Sequence, residues 1–179
     1  MPSRAALSAF VLSAAMIIAG QGNAQQPTAP APNPLDVIPE TMPFNVPYGP
    51  PISLERAQSA IAAAMAEATK RGWTMNIAVV DSGANLVAFA RMDGAQLASI
   101  AIAEHKARTA VKYRRPTKAF EDAVQKSDFK FFLSLDDVIA SRGGIPLIEN
   151  ARIIGAIGCS GGTGSQDEVV CTAGVGPMK

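Results

Sequence analysis

Apolar residues recur along this chain at two spacings, one typical of helices and the other typical of strands. A helical spacing begins after Ser53, a residue type that caps helix N-termini, and runs to Gly72. Residues 73–81 and 85–92 alternate instead, and the turn residues 81–84 separate them, which predicts a β-hairpin. The first half of the domain is therefore predicted as one helix followed by two paired strands.

A second long helix is predicted over residues 96–113. One side of it carries only small residues, which would allow close packing on a sheet: Ser99, Ala103, Ala107 and Ala110. The helix ends at Arg115-Pro116, because proline disfavours helical geometry in the residue before it. A shorter helix is predicted over residues 117–126, and residues 134–137 match the cap of a further helical turn.

The C-terminal part predicts a second hairpin, residues 145–149 and 152–160, and a closing helix over residues 166–174. Ser165 and Glu168 match a capping box at the start of that helix. The glycine-rich residues 160–165 lack the Gly-Lys-Ser/Thr ending of a phosphate-binding loop, so we interpret them as a structural turn. The element order predicts an α+β fold in which helices pack against a sheet.

The N-terminal part is organised differently from the domain at residues 52–179. Residues 1–24 have the features of a secretory signal: Arg4, an apolar stretch, and small residues at the cleavage position. Residues 25–51 hold nine prolines and almost no charge, which favours an extended arm. We expect the first part of this arm to be loose and the second part to be ordered. We expect the apolar side chains of the arm to pack against one of three surfaces: the domain, a neighbouring subunit or a partner protein.

Charge and hydropathy restrict the partners. The formal net charge is +1 and falls close to zero once Arg4 is removed with the signal. Such a balance argues against binding to nucleic acid or to an anionic membrane surface. After the signal, the sequence has no apolar run of about 18 residues that would span a bilayer. Together with the signal-like residues 1–24, this balance of charge and hydropathy predicts an exported protein, periplasmic or secreted.

The chain has two cysteines, Cys159 at a predicted strand end and Cys171 in the closing helix. In an exported protein such an even pair is typically oxidised, which predicts a disulfide. The rival hypothesis is a reactive or metal-binding thiol. No Cys-x-x-Cys pattern or histidine cluster in the sequence supports it.

His105 is the sole histidine and lies in the second long helix beside Glu104, Lys106 and Arg108. It is either a solvated helix residue or a functional one, an axial haem ligand or a general base. Because the small-residue side of the helix lies elsewhere, we expect His105 to face outward, toward solvent or a subunit contact. No Cys-x-x-Cys-His sequence occurs, so any haem is bound without covalent attachment.

Several segments together resemble the GlcG/HbpS-like haem-binding proteins. They are the opening helix from Ser53, residues 78–83 (Ala-Val-Val-Asp-Ser-Gly), 91–95 (Arg-Met-Asp-Gly-Ala), 106–110, 143–146, 154–162 and 166–168. The similarity covers about residues 51–174. The resemblance implies a profilin-like α+β fold, an antiparallel β-sheet flanked by α-helices, and a homo-oligomer. It also implies a small-molecule ligand, haem or a related tetrapyrrole.

The resemblance and the second helix together give a set of candidate ligand contacts: His105, Lys106, Arg108, Thr109 and Tyr113. His105 is the candidate ligand of haem iron, and Lys106 and Arg108 are candidates for pairing with the propionates. We expect all five on the exposed sides of the helix.

Two further hypotheses stay open. The first is a cofactor-free lyase or isomerase acting on a small organic acid or aldehyde. Its site would combine acids with basic groups: Asp81, Arg91, Asp93, His105 and Asp167. The second is an accessory subunit whose arm, residues 25–51, binds a larger exported enzyme. The sequence leaves open whether the protein is an enzyme.

Overall fold

The computed structural model describes residue 33 and residues 36–178. The predicted signal, residues 1–24, and the first part of the proline-rich arm lie outside the described residues. The residues from Pro39 onward form one compact unit.

Helices and strands follow one another in the predicted order. They are α1 Leu54–Arg71, β1 Asn76–Asp81, β2 Leu86–Arg91, α2 Ala98–Lys112, α3 Lys118–Lys126, β3 Gly144–Glu149, β4 Arg152–Ser160 and α4 Gly164–Val175. The strands form one antiparallel sheet in the order β2-β1-β4-β3. The predicted α+β fold with a helix-flanked antiparallel sheet is confirmed.

The sheet separates two layers of apolar side chains. On one face, Ile77 and Val79 of β1 pack with buried residues of α1 and α4. On the other face, Ala78 and Val80 pack with the alanines of α2. Both faces of β1 are buried, because alternate side chains point to opposite sides of a strand and each side is covered by a helix.

The small-residue side of α2 lies directly on the sheet. Ala103 and Ala107 are fully buried and face Gly158 of β4. A Cβ atom at Gly158 would lie 2.1 Å from the Ala103 carbonyl oxygen and 2.5 Å from the Ala107 nitrogen. The predicted close packing is confirmed, and it requires glycine on the strand as well as alanine on the helix.

The ends of two helical segments differ from the predictions. α4 begins two residues earlier than predicted: its cap is Thr163, whose hydroxyl accepts from the Gln166 amide, while the Gln166 side chain accepts from the Thr163 amide. Ser134 does not open a helical turn; it ends the short 3-10 helix Lys130–Ser134. Both predictions were wrong in register, because a Ser/Thr-x-x-polar pattern is short enough to occur in overlapping frames.

Replacing Thr163 with Ala is therefore expected to destabilise the protein by about 1 kcal/mol, the usual cost of removing an N-cap side chain. Ser165→Ala is the matched control, because Ser165 is exposed and lies inside the helix. Urea unfolding of the two variants measures the difference. Equal losses of stability, or a larger loss for Ser165→Ala, would show that the cap is misassigned.

The second part of the arm is ordered against the domain, as expected. The Ile153 amide donates to the Pro47 carbonyl, and Gly49 donates to the carbonyl of Ile153. Val46 packs on the apolar layer beneath α2. Val37, Ile38 and Met42, in contrast, are largely exposed.

Candidate functional site

The candidate ligand contacts on α2 lie on two different sides of the helix. Thr109 and Tyr113 contact the segment at residues 136–139, and His105 and Arg108 interact electrostatically with Asp137 of that segment. We call this side of α2, with the 136–139 segment, the outer face. Lys106 lies on the opposite side.

The outer face is held together by polar contacts from successive turns of α2. The Thr109 hydroxyl donates to the Asp137 carbonyl at 2.6 Å and accepts from the Ile139 amide at 3.1 Å. The Tyr113 hydroxyl donates to the Asp136 carbonyl at 2.7 Å. Lys112 forms an ion pair with the Asp137 carboxylate. Thr109 is buried, so its expected exposure is wrong, and its hydroxyl positions the segment.

The outer face carries both basic and acidic side chains. The hydrogen bond from Lys112 lowers the pKa of Asp137, and the nearby charges of Lys112, His105 and Arg108 lower it further. Arg108 also pairs with Glu104 at 3.0 Å, one turn away on the same helix. Arg108 and Lys112 are thus each paired with a carboxylate and remain partly exposed, so both could exchange these partners for an anionic group.

His105 is half-buried, and its Nε2 atom is buried without a hydrogen-bond partner among residues 36–178. The imidazole lies on the outer face, but this nitrogen is not exposed to solvent. Buried polar atoms in proteins are nearly always hydrogen-bonded, so such an exception calls for a functional or structural reason. A neutral imidazole nitrogen with an unused lone pair is a metal ligand or a proton acceptor.

Lys106 is 1% exposed, so its expected placement on an exposed side of α2 is wrong. Its ammonium pairs with the Asp167 carboxylate at 2.7 Å. The other carboxylate oxygen of Asp167 accepts from the amides of Gly161 and Gly162, each at 3.1 Å. Lys106 and Asp167 therefore tie α2 to the start of α4, and Lys106 is not accessible to a propionate in this arrangement.

An aromatic cluster beside the outer face was not identified from the sequence. Tyr113 packs edge-on against Phe120, which packs edge-on against Phe132. Phe131 stacks on Phe132 with ring centroids 4.3 Å apart and is 44% exposed. The signal was present in the sequence, because three of the seven phenylalanines fall within residues 129–132.

One acid of the lyase or isomerase hypothesis, Asp81, lies far from another, Asp167. Asp81 accepts from the amides of Gly83 and Asn85 in the β1–β2 turn. Its partner on the neighbouring strand β4 is Gly155. Asp167 binds the amides just beyond Ser160, about 17 Å further along β4 at the usual strand rise. Asp93 is exposed in the turn after β2. Asp81 and Asp167 thus serve as a turn residue and an ion-pair partner at opposite ends of the sheet, which contradicts a site that contains both of them. Arg91 lies at the same end as Asp167, because Arg91 and Ser160 both pair with Asn76.

An open groove of about 440 Å³ lies between α1 and the edge strand β2. Its lining is apolar except for one amide side chain: Leu54, Gln58, Ile61, Ala62, Met65, Val87, Ala88, Phe89 and Ala90. None of the proposed acids, nor Arg91 or His105, lines it. The groove therefore does not supply the polar pocket that the enzyme hypothesis requires.

Cys159 and Cys171 form a disulfide with Cα atoms 5.6 Å apart, as predicted. Both cysteines are fully buried. Among residues 36–178, no three His, Cys, Asp or Glu side chains are grouped as a metal site. In the same part of the chain, no helix is long and apolar enough to cross a membrane.

Comparison with known proteins agrees with the resemblance found in the sequence. Residues 52–176 match a family model described as "Haem degrading protein HbpS-like". Protein GlcG from Escherichia coli K12 is 39% identical over 109 residues, covering 61% of this chain and 81% of GlcG. An uncharacterised 15.0 kDa protein of Citrobacter freundii is 36% identical over 122 residues, covering 66% of this chain and 86% of that protein.

Solved structures share the fold over most of their length. Klebsiella pneumoniae ORFY superposes with a TM-score of 0.68 at 30% identity, covering 79% of this chain and 97% of ORFY. A complex of PduOC with heme gives a TM-score of 0.65 at 25% identity, covering 71% of this chain and 94% of PduOC. A variant of Streptomyces reticuli HbpS gives 0.63 at 28%, covering 78% of this chain and 94% of HbpS. The chain belongs to the HbpS-like family.

Proposed function

We propose that this protein binds haem, or a closely related tetrapyrrole, without covalent attachment at the outer face of α2. The observation that carries the proposal is the buried, unpartnered Nε2 atom of His105, the sole histidine, on a face with Arg108 and Lys112. Membership of the HbpS-like family and similarity to a protein solved with heme support the same ligand.

The residues present fit this ligand. Imidazole is a common ligand of haem iron. Arg108 and Lys112 carry the positive charge that would pair with the propionate carboxylates of haem. Lys112 takes the role that the sequence suggested for Lys106, because the Lys106–Asp167 pair is buried whereas the Lys112–Asp137 pair is exposed. The bound group supplies iron that accepts a nitrogen lone pair, and the chain supplies the nitrogen and the cations. Because Nε2 is buried, side chains around it must move before iron reaches it.

We further propose that the protein is exported, to the periplasm or the medium, and acts as a homo-oligomer. The signal-like residues 1–24 and the disulfide support export, because disulfides persist in oxidising compartments. The family resemblance supports the oligomer. Size-exclusion chromatography with light scattering on the processed protein tests the second point directly.

Replacing His105 with Ala is expected to abolish the hemin-induced Soret shift, because the substitution removes the proposed iron ligand. The measurement is an absorbance titration of the wild-type protein and the variant with hemin. Gln58→Ala is the matched control: it changes the polar residue of the groove between α1 and β2 and is expected to leave the titration unchanged.

Each outcome of this titration has a definite meaning. A saturable shift retained in His105→Ala would keep haem as the ligand but remove His105 as its iron ligand. A shift lost only in Gln58→Ala would move the site to the groove. No saturable shift in the wild-type protein would contradict the proposal.

A further inference from the structure

The last turn of α2 is closed by a residue from the N-terminal arm. The hydroxyl oxygen of Tyr48 lies 3.0 Å from the carbonyl oxygens of both Val111 and Lys112, and its single hydrogen is shared between these two acceptors. These carbonyls belong to the final turn of α2. The Val111 carbonyl also accepts from the Arg114 amide at 3.2 Å, so Tyr48 adds a second donor there, and Lys112 is the last residue of the helix, where backbone acceptors commonly lack partners within the helix. Tyr48 therefore supplies a side-chain cap from 63 residues away in sequence.

The arm holds Tyr48 in place through its own contacts. Tyr48 forms an isolated parallel bridge with Ile153, at the start of β4. The next residue, Gly49, approaches β4 so closely that a Cβ atom there would lie 2.9 Å from the Cβ of Arg152. The guanidinium of Arg115, just beyond α2, lies 3.5 Å from the centroid of the Phe44 ring. These contacts fix the arm on both sides of Tyr48.

The helical turn that Tyr48 closes is also the turn that holds the outer face. Lys112 pairs with the Asp137 carboxylate, and the Tyr113 hydroxyl donates to the Asp136 carbonyl. One turn earlier in α2, the Thr109 hydroxyl donates to the Asp137 carbonyl at 2.6 Å. A continuous set of contacts thus runs from the arm, through the end of α2, to the segment beside His105.

We propose that Tyr48 is a positioning residue for the ligand-binding face: it fixes the last turn of α2 and, through Lys112 and Tyr113, the 136–139 segment. The effect on ligand binding rests on the proposed function of the outer face. Tyr48 lies in the arm, before residues 52–176, the part matched by the family model.

The test is Tyr48→Phe, which removes the hydroxyl and keeps the ring. Two quantities are measured: hydrogen exchange of the Ile139 amide, which bonds to Thr109, and the hemin dissociation constant. Loss of one hydrogen bond predicts exchange faster by about three- to ten-fold and hemin binding weaker by a similar factor. The matched control is Thr172→Val, which removes an exposed hydroxyl that donates to a helix carbonyl in α4.

A double variant separates positioning from general destabilisation. If Tyr48 acts through the turn that carries Tyr113, adding Tyr113→Phe to Tyr48→Phe weakens hemin binding by less than the product of the single effects. Unchanged Ile139 exchange in Tyr48→Phe would overturn the proposal. Faster exchange with unchanged hemin affinity would overturn it as well. If the wild-type protein does not bind hemin, the proposed function fails, and the Ile139 exchange rates alone decide whether Tyr48 positions the segment.

Discussion

Replacing Lys106 with Met is expected to destabilise the protein by about 3–5 kcal/mol, the usual cost of removing one partner of a buried ion pair. The side chains of Lys106 and Asp167 are 1% and 3% exposed, so the substitution leaves a carboxylate without its cation and without water. The Gly161 and Gly162 amides still donate to Asp167, but they do not neutralise its charge. Guanidinium chloride unfolding of the purified variant measures the loss.

The same substitution on the same helix provides the control. Lys112→Met breaks the ion pair with Asp137, whose two side chains are 44% and 43% exposed. Solvent screens such a pair, so this variant is expected to lose less than about 1 kcal/mol. A comparable loss in the two variants would mean that burial of the Lys106–Asp167 pair does not determine its contribution.

A second substitution identifies the origin of the Lys106→Met effect. Asp167→Asn keeps an oxygen that accepts from Gly161 and Gly162 but removes the charge. In the double variant the buried charge is gone, so we expect more than half of the lost stability to return. If the double variant is less stable than Lys106→Met, packing around the lysine stem, and not the uncompensated charge, is the cause.

The sequence predicted the parts of the fold that local patterns determine. Ser53 and Gly72 were correctly placed at the ends of α1, because an N-cap hydroxyl and a left-handed C-terminal glycine act within one turn of the helix. The small-residue side of α2 was correctly placed on the sheet, because residues three and four positions apart share a helix face. Both strand hairpins were found for the same kind of reason, from alternation and turn residues.

The candidate site was less predictable, because its contacts join residues far apart in the chain. Lys106 lies in a run of charged residues, a pattern typical of a solvated helix face, yet its partner Asp167 is 61 positions away. The Thr109 hydroxyl forms hydrogen bonds with the backbones of Asp137 and Ile139, which lie 28 and 30 positions later in the chain. The periodicity of α2 does not indicate which of its polar side chains bind partners in distant parts of the chain.

The contacts of the arm were also not predictable from the sequence, although its extended conformation was. Its proline content predicted an extended segment, and Pro47, Gly49 and Ile52 are hydrogen-bonded to Ile153 and Ile154 of β4. Composition does not show that Tyr48 reaches the last turn of α2, since that contact depends on the register between the arm and Ile153. The arm is thus ordered by tertiary contacts rather than by its own conformational preference.

Removing the disulfide is expected to cost about 3 kcal/mol, because the Cys159–Cys171 bridge closes a short loop and restricts the unfolded chain. The bridge joins β4 to the middle of α4. The comparison is between the oxidised wild-type protein and the variant with both cysteines replaced by Ala. Urea unfolding measures the difference, and mass spectrometry of the intact wild-type protein establishes that the bridge is formed.

Added reductant separates the bridge from the packing of its two side chains. Reduced wild-type protein keeps both sulfur atoms, so its loss of stability reports the cross-link, whereas the double Ala variant also loses packing in the apolar layer shared with α1. The reductant should leave the stability of the double Ala variant unchanged. Because both cysteines are buried, reduction of the native wild-type protein requires the α4 region to open, and its rate should rise with added denaturant. Rapid reduction without denaturant would contradict the burial of the bridge, and equal stability of the oxidised and reduced proteins would contradict its role in holding α4 on the sheet.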